Sequence, residues 1–103
     1  MKILFVWSGV TSYMGDCWRT LAARAGVELK IVIAERRGGY GTAFRNEEVM
    51  RGLDWRLQTD ARETSFTCDW RPDLAFIVGW HEPICRAYAQ DARLRGVPKV
   101  CCF

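Results

Sequence analysis

The sequence predicts an α/β domain, a three-layer sandwich built around a mostly parallel sheet of four to five strands. Two observations carry that prediction. Short, nearly unbroken apolar runs end at glycine, and the segments between them repeat apolar residues at helical spacing. Strand, helix, strand is spelled out twice, once at each end of the 103 residues.

The first run, Lys2 to Trp7, is apolar after its lysine and stops at Ser8-Gly9, as a strand buried on both faces does. It is the expected central strand. Thr11 or Ser12 then caps a helix whose apolar face is Met14, Cys17, Trp18, Leu21, Ala22 and Ala25. Asp16, Arg19, Thr20 and Arg24 form its solvent side, and Gly26 stands where a left-handed cap ends a helix. Leu29 to Ala34 is the second strand. The pattern returns at Asp73 to Val78, introduced by Arg71-Pro72 and stopped by Gly79. Glu82-Pro83 starts the next helix, with Ile84, Cys85, Tyr88, Ala89 and Ala92 on the apolar face and Arg86, Gln90 and Arg93 outside. Gly96 closes it, Pro98 follows, and Lys99 to Phe103 enters a last strand.

Residues 35–71 are less regular. Arg36 to Gly41 is a glycine-dense loop, Asn46-Glu47-Glu48 precedes a short helix carrying Val49, Met50 and Leu53, and Trp55 to Gln58 reads as an edge strand. Residues 59–69 carry no clear pattern. With right-handed crossovers the expected strand order is 3-2-1-4-5, a Rossmann-like arrangement, in one domain spanning residues 1–103.

Composition agrees with one globular domain and excludes several classes. Half the residues are hydrophobic and 26% charged, which rules out disorder. Fifteen Lys and Arg against twelve Asp and Glu give +3, too little to make nucleic acid or a membrane surface the main partner. One Arg-Gly-Gly copy at that charge reads as a surface loop. No apolar run approaches the ~18 residues of a membrane span. Asp16 and Arg19 break the one stretch that imitates a secretory signal. The five cysteines, Cys17, Cys68, Cys85, Cys101 and Cys102, are odd in number and lack a Cys-x-x-Cys pair. They read as reduced, small apolar residues of a cytoplasmic protein. One histidine and scattered cysteines do not make a metal site, and no cofactor is expected.

In open parallel sheets ligands bind beyond the carboxyl ends of the strands, where the strand order reverses. Two segments belong to that edge. Ser8, Gly9, Val10, Thr11 and Ser12 follow the first strand, and offer close backbone approach and hydroxyls at a helix start, which suits phosphate or an acceptor. Gly79 to Glu82 follows the fourth strand and holds His81, the only histidine, beside Trp80 and Glu82. An imidazole with a pKa near ~6.5 serves as general base or hydrogen-bonding group near neutral pH, and Trp80 can stack on a sugar or base. Cys17 and Cys85 fall on the expected apolar faces, which argues against a nucleophilic thiol.

The opening Met1-Lys2-Ile3-Leu4-Phe5-Val6, the Gly/Ser turn, the stretch Leu21 to Ile33, and Arg71-Pro72-Asp73-Leu74-Ala75-Phe76-Ile77-Val78-Gly79-Trp80-His81 together carry a resemblance. The chain resembles the N-terminal, acceptor-side domain of two-domain glycosyltransferases of the GT-B fold, family 4 type in particular. The resemblance covers essentially the whole chain. It implies that Ser8, Gly9 and Val10 lie near donor phosphates and acceptor, and that His81 lines the same cleft as the catalytic candidate, with Trp80 and Glu82. It also implies a nucleotide-sugar donor and a glycan or small-molecule acceptor as partners. The family's donor site lies in a C-terminal domain, so these residues are expected to be the N-terminal part of a larger hexosyltransferase-like enzyme and inactive alone. The alternative is a stand-alone flavodoxin-like binding or interaction module. The last strand has no covering helix after it, so a homodimer through an exposed edge strand is a further expectation.

Overall fold

The computed structural model describes residues 1–7, 12–34, 48–58, 70–78, 83–91 and 94–102. Its elements in chain order are β1 (Lys2–Trp7), α1 (Ser12–Ala22), β2 (Glu28–Ala34), β3 (Trp55–Gln58), β4 (Leu74–Val78), α2 (Pro83–Ala89) and β5 (Lys99–Cys102). They form one five-stranded sheet in the order β3-β2-β1-β4-β5. Every adjacent pair is parallel, with Phe5 opposite Ile31 on one side and Phe76 on the other. The Rossmann-like order read from the crossovers is therefore the observed one.

β1 is central because both of its faces are apolar. Leu4 and Val6 join Val32, Ala34, Ala75 and Ile77 in a core completed by Ile84, Cys85 and Tyr88 of α2. Ile3 and Phe5 join Leu29, Ile31 and Ile33 in a second core closed by Trp18 of α1 and by Met50. The two helices thus lie on opposite faces, which makes three layers. Fully burying one such side chain stabilises the fold by ~1.5–3 kcal/mol, so an unpaired polar group in β1 would not be tolerated.

The Arg-Pro-Asp run that introduces β4 has a local structural task. The Asp73 N–H donates to the carbonyl of Lys2 over 2.7 Å, and its carboxylate accepts from the Lys2 N–H at 2.8 Å. These two bonds set the register of β4 on β1. Arg71 donates to the carbonyl of Arg95 at 2.7 Å and ties the turn before β5 to the same end of the sheet.

Three expectations on the helices are corrected. Cys17 is exposed, whereas the spacing put it on the apolar face. The sheet-facing line is Met14, Trp18, Leu21 and Ala22, and Cys17 lies one helical step beyond its margin. Arg19, read as a solvent residue, turns onto the segment after Glu48. Its guanidinium donates to the carbonyl of Val49 at 2.5 Å and lies 2.5 Å from the Asp16 carboxylate. Ala25 is exposed and outside α1, which ends at Ala22. There Arg24 N–H turns back to the carbonyl of Leu21, and Gly26 takes the left-handed conformation at φ 79°.

Of the short helix before β3, residues 48–49 are described as helical, and Val49 lies close against α1. A Cβ on Gly15 would stand 2.5 Å from the Val49 carbonyl oxygen, so glycine is needed at that crossing. The reading of Asn46 and Glu47 as its cap, the Arg36 to Gly41 loop, the faces of Ala92 and Arg93, and Phe103 in the last strand lie outside the described residues.

Candidate functional site

The frame of the site is the carboxyl edge of the sheet between β1 and β4. These strands are parallel neighbours, with Val6 opposite Ile77, so their last residues Trp7 and Val78 end side by side. The chain leaves β1 for a helix on one face and leaves β4 for a helix on the other. That reversal defines the switch point at which open parallel sheets leave a crevice.

Ser8, Gly9, Val10 and Thr11, and Trp80, His81 and Glu82, lie outside the described residues; Ser12 is the first residue of α1. What is described is the frame from which both segments start and to which both return. β1 releases the chain at Trp7 and α1 takes it up at Ser12, while β4 releases it at Val78 and α2 takes it up at Pro83.

Two features below that edge were not anticipated. The Cys85 thiol donates to the carbonyl of Val78 over 2.9 Å and is fully buried, so it joins the first turn of α2 to the last residue of β4. The second feature is an aromatic cluster on the α1 face. Phe5 stacks on Phe76 with ring centroids 4.9 Å apart and planes 9° from parallel. Trp7 and Trp18 meet edge to face at 5.8 Å and 88°. Trp7 is half-buried at the end of β1, and Trp18 is enclosed beneath it at 1% exposure. Among the described residues the indole N–H of Trp18 has no hydrogen-bond partner.

The opposite face carries a buried polar pair. The Tyr88 hydroxyl donates to Oε1 of Gln58 at 2.7 Å, linking α2 to the carboxyl end of β3. Alternation in β3 sets Gln58 with Arg56 on the face away from Trp55 and Leu57, so nothing in that pattern marked it as buried. At the other end of the sheet Lys30 lies 3.4 Å from Asp54 and 5.7 Å from the centre of the Trp70 ring, while the Trp70 N–H donates to Glu28 at 3.1 Å. That cluster fixes the amino end of β2 and is remote from the switch point.

Among the described residues no group of three or more His, Cys, Asp or Glu is placed to hold a metal ion. No described helix is long and apolar enough to cross a membrane. Compared with protein-family models and with curated proteins, the chain matches none.

Proposed function

We propose that the carboxyl edge over β1 and β4 is a ligand-binding cleft, and that the chain is the acceptor-side domain of a hexosyltransferase-like enzyme that uses a nucleotide sugar. The supporting observation is the switch point: β1 and β4 are parallel neighbours with α1 and α2 on opposite faces. The resemblance carried by the β1 opening and by Arg71 to His81 supplies the substrate class.

In this reading Ser8 to Ser12 line the donor-phosphate and acceptor side with backbone N–H groups and hydroxyls. His81 accepts a proton from, or hydrogen-bonds to, the acceptor hydroxyl, and Trp80 and Glu82 shape the wall beside it. Donor activation belongs to a second domain, so the 103 residues bind acceptor without transferring sugar. The partners are a nucleotide-sugar donor, a glycan or small-molecule acceptor and a second copy of the chain, for which the edge of β5 is one route. The setting is the reducing one of the cytoplasm.

Titration of the chain with nucleotide sugars and simple glycans, followed by tryptophan emission, tests the reading, because Trp7 and Trp18 lie together beside the end of β1. A saturable change lost in His81→Ala is expected. Binding that His81→Ala leaves unchanged removes the role given to His81, and no response to any nucleotide sugar or glycan overturns the reading. The second reading, a flavodoxin-like binding module, uses the same edge, and both faces of β1 are buried by elements of this chain. A response to other small ligands but not to sugars selects it.

A further inference from the structure

The solvent side of α1 carries an open groove of about 400 Å³ lined by Tyr13, Asp16, Cys17, Thr20, Leu21 and Arg24. Tyr13 is 74% exposed, the most exposed large hydrophobic side chain among the described residues. Asp16 and Thr20 stand one turn apart on α1, and Arg24, two residues past its end, continues their ridge along the same groove. The ridge has an acidic end, a small centre and a basic end.

We infer that this groove is a docking site for a second copy of the chain, with the two α1 helices antiparallel about a two-fold axis near Thr20. The argument is charge complementarity. Asp16 and Arg24 line the groove on either side of Thr20, so an antiparallel partner brings each Asp16 toward the other copy's Arg24, and the symmetry supplies the pair twice. Antiparallel helix dipoles add to the attraction.

The individual groups suit that role. The Asp16 carboxylate holds Arg19 through Oδ1 and is still 75% exposed, so its other oxygen is open to a second cation. Arg24 is exposed and has no ion-pair partner among the described residues. The Thr20 hydroxyl donates to the Asp16 carbonyl of its own helix at 2.9 Å, so a small, satisfied residue sits at the crossing, where the helices come closest. Tyr13 then reaches over the end of the partner helix and is covered.

The edge of β5 offers less to a second copy. Its one charged residue, Lys99, is turned onto the carbonyls of Leu94 and Val97 at 2.8 and 3.3 Å, and Val100 is 41% exposed. Neither described side chain of that strand, Lys99 or Val100, distinguishes one antiparallel register from another. The α1 ridge specifies its register through its two charges. This inference stands apart from the ligand reading, and its test uses no sugar.

Sedimentation equilibrium on the 103-residue chain, from ~1 µM to ~1 mM in ~0.15 M salt, reads the association with surface charges screened beyond ~8 Å. The wild type is expected to dimerise. Asp16→Arg and Arg24→Asp should each weaken the dimer about tenfold or more, since each places like charges opposite one another twice. The double variant Asp16→Arg/Arg24→Asp should return to within about threefold of wild type, and the two single variants mixed should form a heterodimer. Circular dichroism checks that each variant is folded. A wild type that stays monomeric overturns the inference. So does a dimer that both single variants leave intact, and in that case loss of the dimer in Val100→Lys assigns it to the edge of β5.

Discussion

The Tyr88 hydroxyl donates to Oε1 of Gln58 across 2.7 Å inside the core, joining the helix after β4 to the end of the opposite edge strand. Both residues are at most 2% exposed. The bond therefore replaces hydration that neither group retains, and it fixes how far α2 leans across the sheet.

Tyr88→Phe should lower unfolding free energy by ~1–3 kcal/mol, because it removes a buried donor and takes a partner from Oε1 of Gln58. Gln58→Leu should also destabilise the protein, and combining it with Tyr88→Phe measures how strongly the two residues are coupled. Urea denaturation with an unchanged m-value measures both. A double variant less stable than the sum of the two single effects contradicts this account of the pair.

Gly15→Ala should destabilise the protein even though alanine favours helix by ~1 kcal/mol. The new Cβ would meet the Val49 carbonyl at 2.5 Å and its side chain at 2.7 Å. Overpacking of this kind costs ~1–3 kcal/mol. Val49→Ala relieves only the side-chain contact, so the double variant should recover only part of the loss in a thermal melt.

At Cys85 the thiol donates to the end of β4 from a fully buried position. Cys85→Ser keeps a donor at nearly the same reach, and Cys85→Ala removes it. The serine variant should retain more stability than the alanine variant, which should lose ~1–2 kcal/mol. The reverse order in chemical denaturation would show that Cys85 acts only as apolar volume.

Trp18 sets packing against a donor with no partner among the described residues. Trp18→Ala empties the space under Trp7 and Phe5, and should cost ~3–5 kcal/mol. Trp18→Phe loses less volume and also removes that N–H, so its cost should fall below ~2 kcal/mol. Denaturant titration followed by circular dichroism separates the two values without relying on tryptophan emission.

The frame of the candidate site was legible because it depends on patterns that repeat along the chain. Two apolar runs ending at Gly9 and Gly79, each leading into a helix, are enough to put β1 and β4 side by side once crossovers are right-handed. The groups beneath the edge were not legible. Cys85 reads as one apolar residue among several, and nothing in its neighbours announces a bond to a carbonyl seven positions earlier. Trp7 reads as the end of a strand, and its contact with Trp18 depends on how closely α1 approaches the sheet.

The sequence by itself determined the strands, the places of the two helices and the order of the sheet, since apolar runs and helical spacing select which residues can be removed from water together. Tertiary structure alone decided which side of α1 is free and which polar groups meet. Helical spacing orders residues around an axis, but the rotation of that axis is set by what packs on its flanks. At α1 that neighbour is the turn at Val49, which draws Arg19 inward, while Cys17 remains exposed with Tyr13 beside the ridge of Asp16, Thr20 and Arg24. The Tyr88 to Gln58 bond arises in the same way, between residues thirty positions apart that meet only when the sheet has brought β3 and α2 to the same side of the core.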